Sequence, residues 1–323
     1  MFPEASARGC GLMDARDKNY RISAFRFLAW AAAVMMEAFR PGFPKVVRIE
    51  TTNLCNARCT FCPHAYMVRK KGVMPQELFE KIVTECAEGG CKVLHLHNFG
   101  EPLMDRQLPQ RIQFAKEKGI GFVKIFSNGS LLCNGAAEGL LNCGLDEIKI
   151  SVDGADAAEF NELRRGLDYG RTVENVKRFR RMRDLNGLKH PIITATCVQT
   201  SSRKRTREVL REVVDRVIFA DLHNWGGAGR LLGTRRIRQP CSRLWQTFTV
   251  LVGGEVALCC MDYEGGVILG HCGQQNIAEI WMDHPYREVR KLHRESEQHR
   301  IQLCKECSMS FFQPTLSSYK RDG

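Results

Sequence analysis

Three cysteines stand within eight residues in "CNARCTFC": Cys55, Cys59 and Cys62, with Phe61 just before the last. Thiolates spaced C-x3-C-x2-C can hold three irons of a [4Fe–4S] cube. The fourth iron then lacks a protein ligand and stays open to a small molecule, as a catalytic zinc keeps one position open. The plainer alternative is a zinc site that borrows a distant histidine or cysteine. A second constellation lies near the C-terminus: Cys241, the adjacent Cys259 and Cys260, and Cys304 and Cys307 in "CKEC". A zinc-ribbon-like staple is the plain alternative there. Cys10, Cys86, Cys91, Cys133, Cys143, Cys197 and Cys272 lack ligand spacing, and most of them read as small buried residues.

The elements that must position these groups follow from the pattern of apolar residues. Short apolar runs at 46–51, 92–98, 122–127, 147–152, 192–198 and 216–222 read as strands. Helical stretches fall at 75–90, 108–119, around 136–143, 156–164, 172–186 and 203–214. Six strands alternating with helices argue βαβ units and a parallel sheet or barrel. Barrel enzymes place chemistry at the carboxyl ends of strands, and the first three cysteines follow the first strand. "FGEP" (99–102), "SNGS" (127–130), "ISVDG" (150–154) and "LRRG" (163–166) put small or polar groups on the same rim. His95 and His97 alternate on one face of the second strand and aim toward the barrel. His223, Asn224 and Trp225 end the sixth strand and could meet substrate, and His64 or Tyr66 could cover the site. Beyond 226 a basic, glycine-rich stretch reads as a linker. "TFTVLVGGEVALCCM" reads as a hairpin around Gly253-Gly254, and 277–293 as a helix broken near Pro285.

The composition is that of a soluble globular protein, with 44% hydrophobic and 26% charged residues. Fifteen cysteines in a chain of 323 residues that opens without a secretory signal pattern argue metal or cluster binding rather than disulfides. The net charge of +12 favours acidic partners. The runs 177–184 and 201–208 lie in helical patterns and read mostly as solvated faces. The stretch 25–39 has only ten uncharged residues between Arg26 and Glu37, too few to span a bilayer. It reads as an amphipathic helix that packs on the main domain or makes peripheral membrane contact. Residues 1–19 show no periodicity and read as loose.

With these motifs in this order, the chain from about 46 to 310 resembles the radical S-adenosylmethionine (SAM) superfamily. The resemblance implies an α/β fold: a partial (β/α)6 barrel followed by a small C-terminal α+β twitch or SPASM domain. The organisation expected is an extension over 1–45, the barrel over 46–225, a linker over 226–240 and an auxiliary-cluster domain over 241–323. The resemblance also assigns roles. Cys55, Cys59 and Cys62 hold a [4Fe–4S] cluster whose fourth iron takes the amino and carboxylate groups of SAM. Phe61 packs near adenine. Gly100 and Glu101 receive the methionine ammonium, although Phe99 replaces a common first glycine. Ser127 and Asn128 line the SAM pocket, Ser151 and Asp153 reach ribose, and Arg164 reaches the methionine carboxylate.

The surroundings of the second cysteine set resemble the twitch form, which carries one auxiliary [4Fe–4S] cluster. Neighbours on a strand point to opposite faces, so Cys259 and Cys260 should not both reach it. Cys241, Cys259, Cys304 and Cys307 are the expected ligands, and Cys260 is the expected hydrogen donor if the reaction is an epimerisation. Dehydrogenation is the other outcome. The substrate expected is a small sugar or aminocyclitol, phosphorylated or nucleotide-linked to suit the positive charge, with a peptide as the alternative. An acidic electron donor such as flavodoxin or ferredoxin and a cytoplasmic location complete the reading. A zinc-stapled, nucleic-acid-binding protein is the remote alternative, because the basic runs are poor in aromatics apart from Phe179.

Overall fold

The computed structural model describes residues 15–227 and 240–308, with side chains from residue 27 onward apart from Asn134. Helix α1 (Ala15–Ala38) leads to strand β1 (Val46–Ile49). Then follow α2 (Gln76–Glu88), β2 (Val93–His95), α3 (Leu108–Glu117), β3 (Phe122–Ser127), α4 (Asn134–Asn142), β4 (Glu147–Ser151), α5 (Ala157–Leu163), α6 (Tyr169–Leu185), β5 (Ile192–Cys197), α7 (Arg203–Leu210) and β6 (Arg216–Phe219). The C-terminal part holds α8 (Arg243–Gln246), β7 (Thr247–Val250), β8 (Glu255–Ala257), β9 (Ile268–His271), α9 (Ile277–Met282), α10 (His284–Arg294) and α11 (Gln302–Lys305).

β1 to β6 pair in parallel in chain order, which is the partial (β/α)6 barrel expected. Alternation along each strand splits the side chains between two faces. Val47, Leu94, Val123, Ile148 and Ile193 are fully buried on the outer face. The helices close over them with Phe79, Ile82 and Val83 of α2, Ile112 of α3 and Phe179 of α6. Burying one such aromatic or aliphatic side chain contributes about 1.5–3 kcal/mol. Asp156 and Asp168 cap α5 and α6 by accepting from Glu159 N and Arg171 N, which satisfies donors the helix leaves unpaired. In the 177–184 run, Arg183 is not solvated: it is 6% exposed and pairs with Asp215.

Three expectations need correction. Residues 15–19 are helical, because α1 begins at Ala15. α1 buries Ala33 yet turns Phe27, Leu28, Trp30 and Met35 outward, so its described apolar residues form no single packed stripe. It is fastened at its end, where Glu37 accepts from Trp245 Nε1 at 2.7 Å. Finally, the hairpin does not stand apart from the barrel. β7 pairs in parallel with β1, antiparallel to β8, and β9 follows, so one nine-stranded sheet runs from β6 to β9. Most of the expected linker, residues 228–239, lies outside the described residues. The predicted break at Pro285 is present, between α9 and α10.

Candidate active site

The loop after β1 carries Cys55, Cys59 and Cys62, all half-buried. It is strung against the turn after α5: Arg58 N donates to Arg165 O at 2.7 Å and Thr60 N to Leu163 O at 2.9 Å. A reverse turn, Cys62 N to Cys59 O at 3.1 Å, brings the last two thiols together. Burial pushes Cys55 up to about 12 and Cys62 up to about 11, and the thiols raise one another further. Thiols in such a place stay protonated and neutral until a strongly cationic guest displaces their protons, and an iron–sulfur cluster is such a guest. Among the described residues no three Cys, His, Asp or Glu side chains converge as the ligands of a single ion would. The corners of a cube stand further apart than that.

Glu101 follows β2 and is 1% exposed. Leu103 N and Ser127 Oγ donate to its Oε1 at 3.1 and 2.7 Å, and Asn128 N donates to its Oε2 at 2.6 Å. All three donors are neutral, and Arg164, a cation whose charge acts on this carboxylate, is itself hydrogen-bonded to Asp153. Burial raises the Glu101 pKa. An ammonium group supplies a directly bonded cation, and that fits SAM. Gly100 makes the approach possible: at φ 137° a Cβ would lie 2.5 Å from Thr52 O and 2.9 Å from Asn53 Cα.

Several of the residues expected to contact SAM also tie neighbouring loops together. Ser127 uses its hydroxyl on Glu101 and on Gly129 N. The Asn128 amide donates to Asn56 Oδ1 at 2.9 Å and accepts from Ser130, which ties the cluster loop to the loop after β3. Asp153, expected at a ribose, has protein partners on both carboxylate oxygens. Its Oδ1 accepts from Val198 N and Gln199 N at 2.6 and 2.9 Å, and its Oδ2 accepts from Arg164 Nε at 2.7 Å. The carboxylate thereby aims Arg164, whose Nη1 lies 3.7 Å from Cys59 Sγ and whose guanidinium stands 5.4 Å from the Phe61 ring. Burial works against the charge on Arg164, but Asp153 and then Cys59 outweigh it. Ser151 closes β4 on the inner face, at the register of Thr196.

His64 is spent on Asn53 O at 2.8 Å and Tyr66 is exposed, so neither covers the site. The segment after β6 is a latch. Asn224 accepts from Ser308 N at 2.8 Å and also donates to Glu306 O, while Trp225 Nε1 donates to Phe61 O at 2.8 Å. Phe99 packs edge-on against Trp225 at 5.5 Å and against Tyr263 at 6.0 Å, so one aromatic layer joins the barrel rim to the hairpin. His95 and His97 do face inward, stacked at 5.3 Å.

The second cysteine set gathers about Arg243 of α8. Burial opposes the charge there, but Cys260, Cys241, Cys259 and Cys307 outweigh it and raise its pKa. Cys304 lies near Cys259 and adds to the rise of that thiol, which burial starts. Cys259 and Cys260 follow the end of β8 in a turn closed by Asp262 N to Cys259 O at 3.1 Å. Strand alternation therefore does not separate them, which corrects the basis for choosing one over the other. Arg243 Nη1 donates to Cys260 Sγ at 3.3 Å. Burial pushes that thiol up, but Arg243 and then Arg48 outweigh it and bring it below the ordinary thiol value. Arg243, Arg48 and Asn56 are site residues that sequence reading missed. Only the arginine two residues after Cys241 carried any signal.

Residues 49–192 match the model of the Radical SAM superfamily, and residues 241–308 match SPASM, an iron–sulfur cluster-binding domain. The GTP 3′,8-cyclase of Rhizobium leguminosarum bv. trifolii is 29% identical over 135 residues, 40% of this chain and 38% of its own length. The probable GTP 3′,8-cyclase of Methanococcus vannielii is 31% identical over 132 residues, 41% and 42% respectively. The chain thus spans about two fifths of the curated relatives it matches. Among solved structures, BtrN in complex with AdoMet and 2-DOIA aligns with a TM-score of 0.58 at 18% identity, over 83% of this chain and 96% of that one. Streptococcus suis SuiB bound to precursor peptide SuiA gives 0.65 at 13% identity, over 89% and 74%. These likenesses bear on the fold, a radical SAM barrel with a SPASM region. The two domains imply a [4Fe–4S] cluster, an auxiliary cluster and SAM.

Proposed function

We propose that this chain, which carries a radical SAM domain followed by a SPASM domain, epimerises a carbon of a small sugar- or aminocyclitol-type substrate. Cys55, Cys59 and Cys62 hold the first cluster, and Glu101 takes the SAM ammonium while Arg164 takes its carboxylate. Phe61 lies by the adenine, and Ser127 and Asn128 fix Glu101. Cys241, Cys259, Cys304 and Cys307 hold the auxiliary cluster. Bound there, the reduced cluster and SAM supply a 5′-deoxyadenosyl radical that removes hydrogen from substrate carbon.

The observation that carries the reading is the inner face of the barrel. Arg48, His95, Lys124, Glu147, Lys149, Thr194 and Thr249 line it at matched register, a polar floor suited to a small polyhydroxylated molecule rather than a peptide segment. The named substrate of the GTP 3′,8-cyclases, a nucleotide, is likewise small and polar. Cys260 connects to this floor through Arg48. Its thiol returns a hydrogen atom to the opposite face of the carbon. One electron from an acidic donor such as flavodoxin or ferredoxin and one proton from water then restore the thiol, in the cytoplasm. The apolar residues that α1 turns outward suit peripheral membrane contact.

The test runs the reaction in deuterated water. Wild-type product should carry one deuterium at the altered carbon, and Cys260→Ala should consume SAM without forming that product. An oxidised product free of solvent deuterium would support dehydrogenation and remove the epimerase reading. Retention of SAM cleavage after replacing Cys55, Cys59 and Cys62 by alanine would sink the mechanism itself.

A further inference from the structure

After β6 the chain turns across the barrel rim through residues 223–227. Trp225 stands there at φ 49°. Bulky side chains rarely enter that left-handed region, and they stay in it only where their surroundings hold them. Gly226 and Gly227 follow at φ 66° and 100°. A Cβ on Gly226 would collide with the Leu303 side chain, and one on Gly227 would lie 2.6 Å from Glu306 Cβ. Gly227 N donates to Asn224 O at 2.9 Å and closes the turn. The strap is therefore bent to lie directly on the stretch that carries Cys304 and Cys307.

Its two middle residues reach in different directions. Asn224 is 2% exposed and bonds to the second cysteine set's segment. Its N donates to Ser308 Oγ at 3.2 Å, its Oδ1 accepts from Ser308 N at 2.8 Å, and its side-chain amide donates to Glu306 O. Cys307 lies between those two partners. Trp225 reaches the first set: its Nε1 donates to Phe61 O at 2.8 Å, next to Cys62. Its ring meets Phe99 edge-on at 5.5 Å, two residues before Glu101. His223 stands perpendicular to the indole at 5.5 Å. One strained pair of residues thus joins the two cysteine sites.

We infer that Trp225 positions Phe61 for the adenine of SAM, and that Asn224 makes this positioning depend on the segment of Cys304 and Cys307. The inference rests on the proposed reading that Phe61 lies by the adenine. Adjacent residues in a closed turn cannot move independently. Release of Asn224 from Ser308 and Glu306 therefore lets the indole leave Phe61, and SAM affinity falls. Such coupling is reciprocal, so SAM in the first site favours the ordered form of the second.

The test titrates oxidised, cluster-loaded protein with SAM and with S-adenosylhomocysteine by calorimetry. It compares wild type, Trp225→Phe, Asn224→Ala and the double variant. Trp225→Phe should raise both dissociation constants by the same factor, about three- to tenfold, because one hydrogen bond to Phe61 is lost and both ligands carry the adenine. Asn224→Ala should raise them in the same direction, although its own bonds go to Ser308 and Glu306. Iron content should stay at the wild-type level in both. The double variant should bind no more weakly than the weaker single variant, since both act through one strap. Gly226→Ala, which drives the strap off Leu303, should act like Asn224→Ala and decides the matter if that variant fails to fold. Additive losses, a loss confined to SAM, or an unchanged dissociation constant in Trp225→Phe overturns the inference. A lowered melting temperature with unchanged dissociation constants overturns it too, since the strap is then merely structural. The two failures are distinct: wild type that binds neither ligand removes the proposed SAM site itself, whereas binding that every variant retains removes only the strap.

Discussion

Arg243 reaches Cys260 across 3.3 Å, and it does so from the helix that follows Cys241 by two residues. One guanidinium therefore stands beside both the first and the middle cysteines of the second set. Replacing Cys260 by alanine should leave about eight irons per chain, whereas Cys259→Ala should lose about four. Iron analysis of anaerobically purified protein reads the difference directly. The reverse pattern would make Cys260 the ligand and remove it as a hydrogen donor.

The groups that hydrogen-bond Glu101 are neutral and Arg164 is hydrogen-bonded to Asp153, which leaves the Glu101 carboxylate to pair with an ammonium group. Glu101→Ala should weaken SAM binding about tenfold or more, as expected for loss of a charge-assisted hydrogen bond of about 1.5–3 kcal/mol. Iron content should stay at the wild-type level. Ser127→Ala should weaken SAM binding less, because it removes only one of the groups that orient the carboxylate. Equal SAM dissociation constants in wild type and Glu101→Ala would contradict the assignment.

Glu50 joins three parts of the molecule. Its fully buried carboxylate accepts from Arg69 Nη1 and Nη2 at 2.7 and 2.6 Å, from Phe99 N at 3.1 Å and from Val252 N at 3.1 Å. Glu50→Ala leaves the Arg69 charge with little exposure and without its ion-pair partner. It should cost about 3–5 kcal/mol of stability, measured by denaturant unfolding. A loss below about 1 kcal/mol would mean that water replaces the carboxylate at no great cost.

The depressed pKa of Lys124 makes stability depend on pH. The folded protein holds that proton only below about 7, whereas the unfolded chain holds it to the ordinary lysine value near 10.5. The penalty of charging Lys124, set by burial and then by Lys149 and Arg48 and eased by Glu147, is therefore full below about pH 7 and relieved as pH rises toward 10. Lys124→Met should exceed wild type in melting temperature most at pH 6, and the gap should narrow by pH 9. A gap that is constant across this range would place Lys124 in ordinary solvent.

Much of this was legible because it is local. The spacing of Cys55, Cys59 and Cys62 and the Gly100-Glu101 pair need only a few consecutive residues to be recognised, and the six barrel strands announce themselves as apolar runs. What escaped is what only the tertiary structure brings together. Ser127, Asn128 and Asp153 follow or end their strands, and their partners Glu101, Asn56 and Arg164 come from other loops. Cys259 and Cys260 read as strand residues because the apolar run continues through Leu258. The register between β8 and β9 shifts at Val256 and Ala257, and the strand ends there. The Gly253-Gly254 turn identified the hairpin but said nothing of its partner, since strand pairing with β1 spans some two hundred residues of sequence.

That pairing ties the fate of the two halves together. Because β7 completes the hydrogen bonding of β1, the strand that launches the cluster loop has a neighbour on both sides only while the C-terminal unit is in place. A fragment ending before Cys241 would present Val46–Ile49 as a bare sheet edge, a template for self-association. Melting of one half would expose the other, so the chain should lose its two cysteine sites in one cooperative transition rather than one after the other.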